Sequence, residues 1–122
     1  MQIKEMNNYR ITNDLGVVFY VDEVGSFQNG FSRVKKNDKY GFIDEKGNLI
    51  CEIKYEKVSS FIYGRAAVKE NGKWGVINEE GNPICEIKYD LIYSFKDEGF
   101  AYVYLDDKKY LMNKKGETLL IV

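Results

Sequence analysis

The chain of 122 residues contains no histidine, only one proline and two cysteines, and no long hydrophobic run. Without histidine, the most common general base and the most common metal ligand are both absent. No apolar stretch approaches the roughly 18 residues that a membrane helix needs. The net charge is −1, from 18 basic and 19 acidic residues. Because no basic surface follows from such a balance, we expect binding to neither nucleic acid nor membrane.

The amino terminus and the cysteines indicate the compartment. Residues 1–10 contain no apolar run of the length found in a secretory signal, so we expect a cytoplasmic protein. Cys51 and Cys85 do not form a CxxC pair, which fits a compartment where thiols stay reduced. No GxSxG, GxGxxG or Walker-type loop occurs. We therefore expect no enzyme activity, no metal and no cofactor.

The dominant feature of the sequence is an internal repeat of 34 residues. Residues 27–60 align with residues 61–94 without a gap, and 18 of the 34 positions are identical. A degraded copy covers residues 95–122, with a small insertion expected near residues 106–109. A partial copy with a three-residue deletion covers residues 9–26. Residues 1–122 are thus predicted to form a single repeat domain.

Each unit contains short alternating patterns that predict β-strands. The first two strands recur at equivalent places: 32–36, 66–70 and 101–105, then 40–44 and 74–78. A third strand is expected at 49–55, with one face formed by Leu49, Cys51, Ile53 and Tyr55. Apolar residues three apart predict a bend or a single helical turn at 58–61 and 92–95.

Two kinds of tight turn separate the strands. Asn37-Asp38 and Asn71-Gly72 tolerate the positive φ of a two-residue hairpin. The four-residue turns open with Asp44 or Asn78, whose side chain can accept a local backbone N–H, and close with glycine. The acidic residues in these turns lack the further oxygen ligands of a calcium loop, so we interpret them as turns only.

These patterns predict an all-β fold in which antiparallel 34-residue units stack as an open, twisted array. The alternative is a ring-like closure, in which the partial units at the two ends complete each other. An open array exposes strand edges, and self-association is one way to cover them. A homodimer formed through these edges is therefore a hypothesis.

Two segments, Lys39-Tyr40-Gly41 and Lys73-Trp74-Gly75, are each followed at fixed spacing by isoleucine, Asp or Asn, and glycine. In these residues the chain resembles the bacterial WG-repeat family, most closely over residues 27–94. The resemblance implies a β-repeat and supplies no catalytic residue. Tyr40 replaces the tryptophan in one copy, and Tyr110 lacks the following glycine. The chain is also weakly similar to cell-wall-binding aromatic β-hairpin repeats.

The repeated residues have structural and functional interpretations. The glycine after Tyr40 or Trp74 could make room for a large ring or for a second backbone, or the ring could be a stacking platform for a sugar. We favour the structural interpretation, because a stacked core needs one such residue per unit. Cys51 and Cys85 are interpreted as free thiols that pack as small apolar side chains, rather than as a disulfide or a metal site.

Five aromatic residues depart from the repeat and are the candidate partner-binding residues: Tyr63, Tyr93, Phe100, Tyr102 and Tyr104. The last three are expected opposite the face of Ala101 and Val103, where solvent would otherwise lie. Such a row could bind a partner, or the end unit could fold over its own exposed edge. Both interpretations remain open from the sequence.

The leading functional hypothesis is a non-catalytic, cytoplasmic protein-interaction scaffold or accessory partner. It depends on the repeat and on the missing catalytic motifs, and it does not identify the partner protein. The alternative is a glycan-binding or cell-wall-binding module that uses the exposed aromatic side chains.

Overall fold

The computed structural model describes residues 2–5, 8–93, 95–96 and 99–121, and every regular element in these residues is a β-strand. The strands are β1 (Gln2–Glu5), β2 (Asn8–Thr12), β3 (Val18–Val21), β4 (Glu23–Val24), β5 (Phe31–Lys36), β6 (Lys39–Asp44), β7 (Lys57–Val58), β8 (Ala66–Glu70), β9 (Lys73–Ile77), β10 (Leu91–Ile92), β11 (Ala101–Leu105), β12 (Lys108–Met112) and β13 (Thr118–Ile121). Among these residues no helix could span a membrane.

The strands form antiparallel sheets that follow one another along the chain. Sheet 1 contains β1–β3, sheet 2 contains β4–β6, sheet 3 contains β7–β9, and sheet 4 contains β10–β13. Within the described residues no strand of sheet 1 pairs with a strand of sheet 4. The prediction of an all-β, open array of tandem repeats is therefore confirmed, and the ring-like closure is not formed.

The predicted hairpin turns are present. Asn37 and Asp38 have φ values of 51° and 64°, and Asn71 and Gly72 have values of 52° and 79°. Asn and Gly enter this left-handed region at low cost, and two such residues in a row match the twist of the flanking strands. The turn chemistry in the sequence thus determines which strands pair.

The predicted four-residue turns are also present, and each is closed by side-chain hydrogen bonds. The Asp44 Oδ1 atom accepts the backbone N–H groups of Lys46 and Asn48, both at 2.9 Å. Asn78 Oδ1 does the same at 3.1 and 2.9 Å. Asp44 and Asn78 thus close the turns with their own side chains.

The predicted third strand at 49–55 is wrong. Only its ends are bridged to β6, Leu49 to Ile43 and Tyr55 to Tyr40. Leu49 and Tyr55 are six residues apart, whereas their partners Ile43 and Tyr40 are three residues apart. The segment therefore contains three extra residues between the two bridges, and we call this an excursion. The cause is Gly41, where a Cβ would lie 3.1 Å from the Ile53 Cα. The returning chain crosses over this glycine instead of pairing beside it.

The expected facing of the third segment is wrong for the same reason. Leu49 is 41% exposed, whereas Cys51 and Ile53 pack in different core clusters. Cys51 contacts the cluster shared with sheet 3, and Ile53 contacts the cluster shared with sheet 1. The excursion interrupts the alternation of period two on which the prediction depended.

The bend or helical turn predicted at 58–61 and 92–95 is wrong at its first residues. Val58 and Ile92 belong to the short strands β7 and β10, opposite Val68 and Val103. After Val58 the strand ends and residues 59–61 form a loop, whereas residue 94 of the second segment lies outside the described residues. A tight turn comes slightly later, where Tyr63 has a φ of 53°.

Sheet 4 corrects the alignment of the last copy. β12 pairs with β11 in the register of the earlier hairpins, which places Tyr110 where Gly75 stands in sheet 3. The insertion expected near residues 106–109 is therefore wrong. The extra residue lies earlier, because the spacing from Phe95 to Gly99 is one residue longer than in the preceding copy.

The buried core lies between successive sheets. The cluster between sheets 1 and 2 contains Ile11, Val21, Val34 and Ile43. The cluster between sheets 2 and 3 contains Phe42, Tyr55, Phe61, Ala66, Val68 and Ile77. The cluster between sheets 3 and 4 contains Ala67, Val76, Tyr89, Ile92, Phe95, Ala101, Val103 and Met112. Each sheet thus depends on its neighbours for burial, as in other repeat proteins.

Candidate functional site

Each inner sheet has one face toward the preceding sheet and one toward the following sheet. In sheet 3, Val68 packs in the cluster shared with sheet 2, whereas Ala67 and Val76 pack in the cluster shared with sheet 4. Ala67 and Val76 are directly paired, so they lie on the same face, and they are only 6% and 1% exposed. We call the side that the following sheet covers the forward face of a sheet.

Sheet 4 also has a forward face. The register places Tyr102 and Leu111 at the positions of Ala67 and Val76. Leu119, which is opposite Leu111 on β13, extends the same face. Tyr102 is 37% exposed and Leu119 is 67% exposed. Within the described part of the chain, the forward face of sheet 4 is therefore uncovered.

The pairing partners complete this surface. Tyr104 is opposite both Leu91 and Lys109, and Lys109 is opposite Ile121. We define the uncovered forward face by eight residues, all but one of them apolar or aromatic: Leu91, Phe100, Tyr102, Tyr104, Lys109, Leu111, Leu119 and Ile121.

The structure brings four of the five candidate residues together. Phe100, Tyr102 and Tyr104 lie on the uncovered forward face. Tyr93 lies beside them: its backbone N–H donates to the Tyr102 carbonyl at 2.9 Å, and its ring centroid is 5.7 Å from that of Tyr104. Tyr63 lies apart, in the turn before β8, and is 44% exposed.

Sequence reasoning missed the contribution of the last two strands. Phe100, Leu111 and Leu119 line one shallow depression of the surface. A signal for β13 was present, because the segment from Leu119 to Ile121 carries no charge. Leu111 was hidden by the misplaced insertion, which assigned it the wrong position in the repeat.

Lys109 is the only charged residue of the uncovered forward face. Its Nζ atom lies 4.1 Å from the centroid of the Tyr102 ring. A cation at this distance is attracted by the negative face of the ring. Lys109 stands where sheet 3 has Trp74. One side of Tyr102 is therefore already occupied by an ammonium group.

An acidic residue supports the hairpin turn of each of the last three sheets. Asp22, Glu56 and Asp90 accept backbone N–H groups from the turns at 2.9, 2.8 and 3.0 Å. Asp90 also accepts a hydrogen bond from Lys73 Nζ, which lowers the pKa of the Asp90 carboxyl and raises that of Lys73. These three carboxylates therefore have structural partners in the turns.

The aromatic–glycine pair has the structural role that the sequence favoured. A Cβ on Gly75 would lie 3.1 Å from the Ile87 Cα, so the glycine permits a close approach of two backbone segments. The Trp74 ring packs against the cluster between sheets 3 and 4, and Lys69 Nζ lies 6.0 Å from its centroid. Trp74 is thus partly buried in a junction between units.

Cys51 and Cys85 are free and have equivalent surroundings. Burial raises the pKa of both thiols, and each interacts with the backbone of an equivalent residue, Phe42 or Val76. A raised pKa keeps a thiol protonated and unreactive near neutral pH. Within the described residues, no group of three or more His, Cys, Asp or Glu side chains could hold a metal.

The family model of the WG containing repeat matches the chain three times, over residues 19–40, 40–74 and 74–108. The chain belongs to the WG-repeat family. The boundaries between its matches fall at Tyr40 and Trp74, the residues that precede the two close-approach glycines. No curated protein and no solved structure matches this WG-repeat chain.

Proposed function

We propose that this WG-repeat chain is a non-catalytic, cytoplasmic protein-interaction scaffold that binds through the uncovered forward face of sheet 4. The observation that carries the proposal is the exposure of this face. On the forward face of sheet 3, Ala67 and Val76 are buried in the junction with sheet 4. On the forward face of sheet 4, Tyr102 and Leu119 are 37% and 67% exposed. A sheet face built for burial and left open is a surface for another protein.

The composition of the face supports a protein as the ligand. Protein interfaces are enriched in aromatic residues and depleted in charge at their centres. The uncovered forward face combines Phe100, Tyr102 and Tyr104 with aliphatic side chains, and it contains the single charge of Lys109. The free thiols of Cys51 and Cys85 support a reducing compartment.

The alternative, a glycan-binding module, has less support. A sugar stacks on the open face of an aromatic ring, but Lys109 already occupies one side of Tyr102. Tyr93 and Tyr104 meet edge to face at an interplanar angle of 88°, so their rings do not form one flat platform. A protein surface can cover such an uneven set of rings by matching its shape.

Affinity capture from the native cell tests the proposal. Tagged wild-type chain, Tyr102→Ser and the control Tyr63→Ser would be compared, because Tyr63 is slightly more exposed than Tyr102 and lies outside the face. We expect a stoichiometric protein with the wild type and with Tyr63→Ser, and its loss with Tyr102→Ser. Tyr102 resonances that move with soluble cell-wall glycans, without any protein captured, would overturn the proposal.

A further inference from the structure

At the junctions between units, the glycine turn of one unit lies against the backbone of the preceding unit. We call the backbone that a turn contacts its seat. A Cβ on Gly47 would lie 2.7 Å from the Thr12 carbonyl oxygen. A Cβ on Gly81 would overlap the Ile50 carbonyl oxygen, and a Cβ on Gly116 would overlap that of Ile84, the residue equivalent to Ile50. Thr12 is instead equivalent to Ile43, so the first of these contacts is made at a different position of the unit. Each of these glycine turns therefore lies against the backbone of the preceding unit.

The first turn of the chain has the same form but no such seat. Gly16 has a φ of 82°, as do Gly47 and Gly81. Asn13 Oδ1 closes the turn by accepting two backbone N–H groups, at 3.0 and 2.9 Å. A Cβ on Gly16 would meet nothing within 4 Å. Within the described residues, the first turn is thus shaped like the others and rests on no other backbone.

The side chains of the first turn differ from those of the later turns. Leu15 is 88% exposed, whereas its equivalents are charged: Lys46, Glu80 and Lys115. Val17, Val18 and Tyr20 follow, and they are 55%, 47% and 44% exposed. Leu15 and Val17 lie in the turn and Val18 and Tyr20 lie in β3, so four apolar or aromatic side chains are exposed in and just after the turn, as at surfaces that bind a partner.

The matching seat is present at the other end of the array. Gly116 lies against the carbonyl of Ile84, which follows Pro83 in the chain that returns after the third turn. The register of sheet 4 places Leu119 at the position of Ile84. It also places Met112 at the position of Thr12, against which Gly47 lies in sheet 1, and sheets 1 and 4 both have a regular returning strand. Leu119 is 67% exposed, and no described turn lies over it. The chain thus carries both halves of one further junction.

We propose that copies of this chain stack head to tail, with the apolar first turn of one copy seated on β13 and the uncovered forward face of another. This deepens the proposed function by naming a second copy as a partner of that face. The contact continues the junction that the chain already forms between its own sheets. Because the two surfaces are different, the association is heterologous and can propagate beyond a dimer.

Pairing of two forward faces by a twofold axis is the competing arrangement. It would bring the Lys109 side chains of both copies into one interface, and it would leave Leu15 and Val18 exposed. Head-to-tail stacking covers both the apolar first turn and the uncovered forward face, and it places the Gly16 turn against the backbone of the other copy. The observations at the first turn therefore favour the heterologous contact.

Sedimentation of the full chain over a range of concentrations tests the proposal. We expect the weight-average mass of the wild type to rise with concentration. Leu15→Glu gives the first turn the residue that the third turn has at the equivalent position, Glu80. Leu119→Glu introduces a negative charge into the uncovered forward face. Each variant alone should weaken association at least tenfold. Leu49→Glu, at an exposed leucine of an inner unit, is the matched control and should associate like the wild type.

Mixing the two variants separates the arrangements. Leu15→Glu keeps its forward face and Leu119→Glu keeps its first turn, so the mixture should form a 1:1 complex that grows no further. Self-association of Leu15→Glu at wild-type strength would show twofold pairing and overturn the proposal. A monomeric wild type at all concentrations would also overturn it. If that monomer still captured a protein through Tyr102, the proposed function would stand without the stacking.

Discussion

Gly75 and Ile87 lie so close together that a Cβ on Gly75 would be 2.6 Å from the Ile87 Cγ1 atom. Gly41 has the same relation to Ile53. Sheets 1 and 4 lack the glycine, and their returning strands β3 and β13 pair regularly without an excursion. In the inner units, the glycine of the aromatic–glycine pair therefore allows the returning chain to cross over β6 or β9. An isoleucine of the returning chain then points toward the preceding sheet.

The first prediction concerns this contact. Gly75→Ala should lower the free energy of unfolding by about 1–3 kcal/mol, because the methyl group requires the Ile87 segment to shift in a packed junction. Denaturant titration measures the change. Gly72→Asn is the control, since a Cβ there meets nothing within 4 Å and Asn tolerates its φ of 79°. Equal losses for the two variants would contradict the role of Gly75.

The second prediction concerns the buried phenol of Tyr55. Burial raises the pKa of Tyr55 from its usual value of 10 to about 12. The unfolded chain therefore loses this proton first as the pH rises, and the folded chain loses the stability that the neutral phenol provides. That contribution is complete below pH 10 and should decline by about 1–2 kcal/mol as the pH approaches 12.

Denaturant titrations from pH 9 upward would compare the wild type with Tyr55→Phe. The difference in unfolding free energy between the two proteins should shrink or change sign in favour of Tyr55→Phe as the pH rises. A difference that stays constant with pH would show that Tyr55 titrates alike in both states.

The third prediction concerns the two thiols. Burial raises the pKa of Cys51 and Cys85, so both should react with iodoacetamide more slowly in the folded protein than in urea. Because the two cysteines occupy equivalent places, their rates should agree within about threefold at equal pH. Mass spectrometry of the alkylated peptides gives both rates. One fast and one slow cysteine would contradict the equivalence of the junctions.

Much of the fold could be predicted from the residues that act locally. Asn37-Asp38 and the turn opened by Asp44 determine their own conformations through φ tolerance and side-chain acceptors, so the sequence located both. The alternation around Val34 likewise marked a strand with one buried face. Such signals need no knowledge of distant parts of the chain.

The features that were missed depend on contacts between segments. Leu49 to Tyr55 has the alternation of a strand, but the approach of Ile53 to Gly41 prevents regular pairing. In the candidate site, the aromatic row at Phe100 to Tyr104 stood out because it breaks the repeat. Leu111 and Leu119 did not, since their exposure depends on what covers sheet 4. Burial between units is a property of the array and cannot be read from one unit.

The most direct test of stacking between units compares Gly81→Ala with Gly16→Ala in dilute solution. Both glycines have a φ of 82°, but Gly81 lies against the Ile50 carbonyl of the preceding unit, whereas a Cβ on Gly16 would meet nothing within 4 Å. Gly16→Ala should cost about 1–2 kcal/mol of unfolding free energy from backbone strain alone. Gly81→Ala should cost at least about 2 kcal/mol more, because its methyl group disrupts a junction. Equal losses in the two variants would contradict an array held together by contacts between successive sheets.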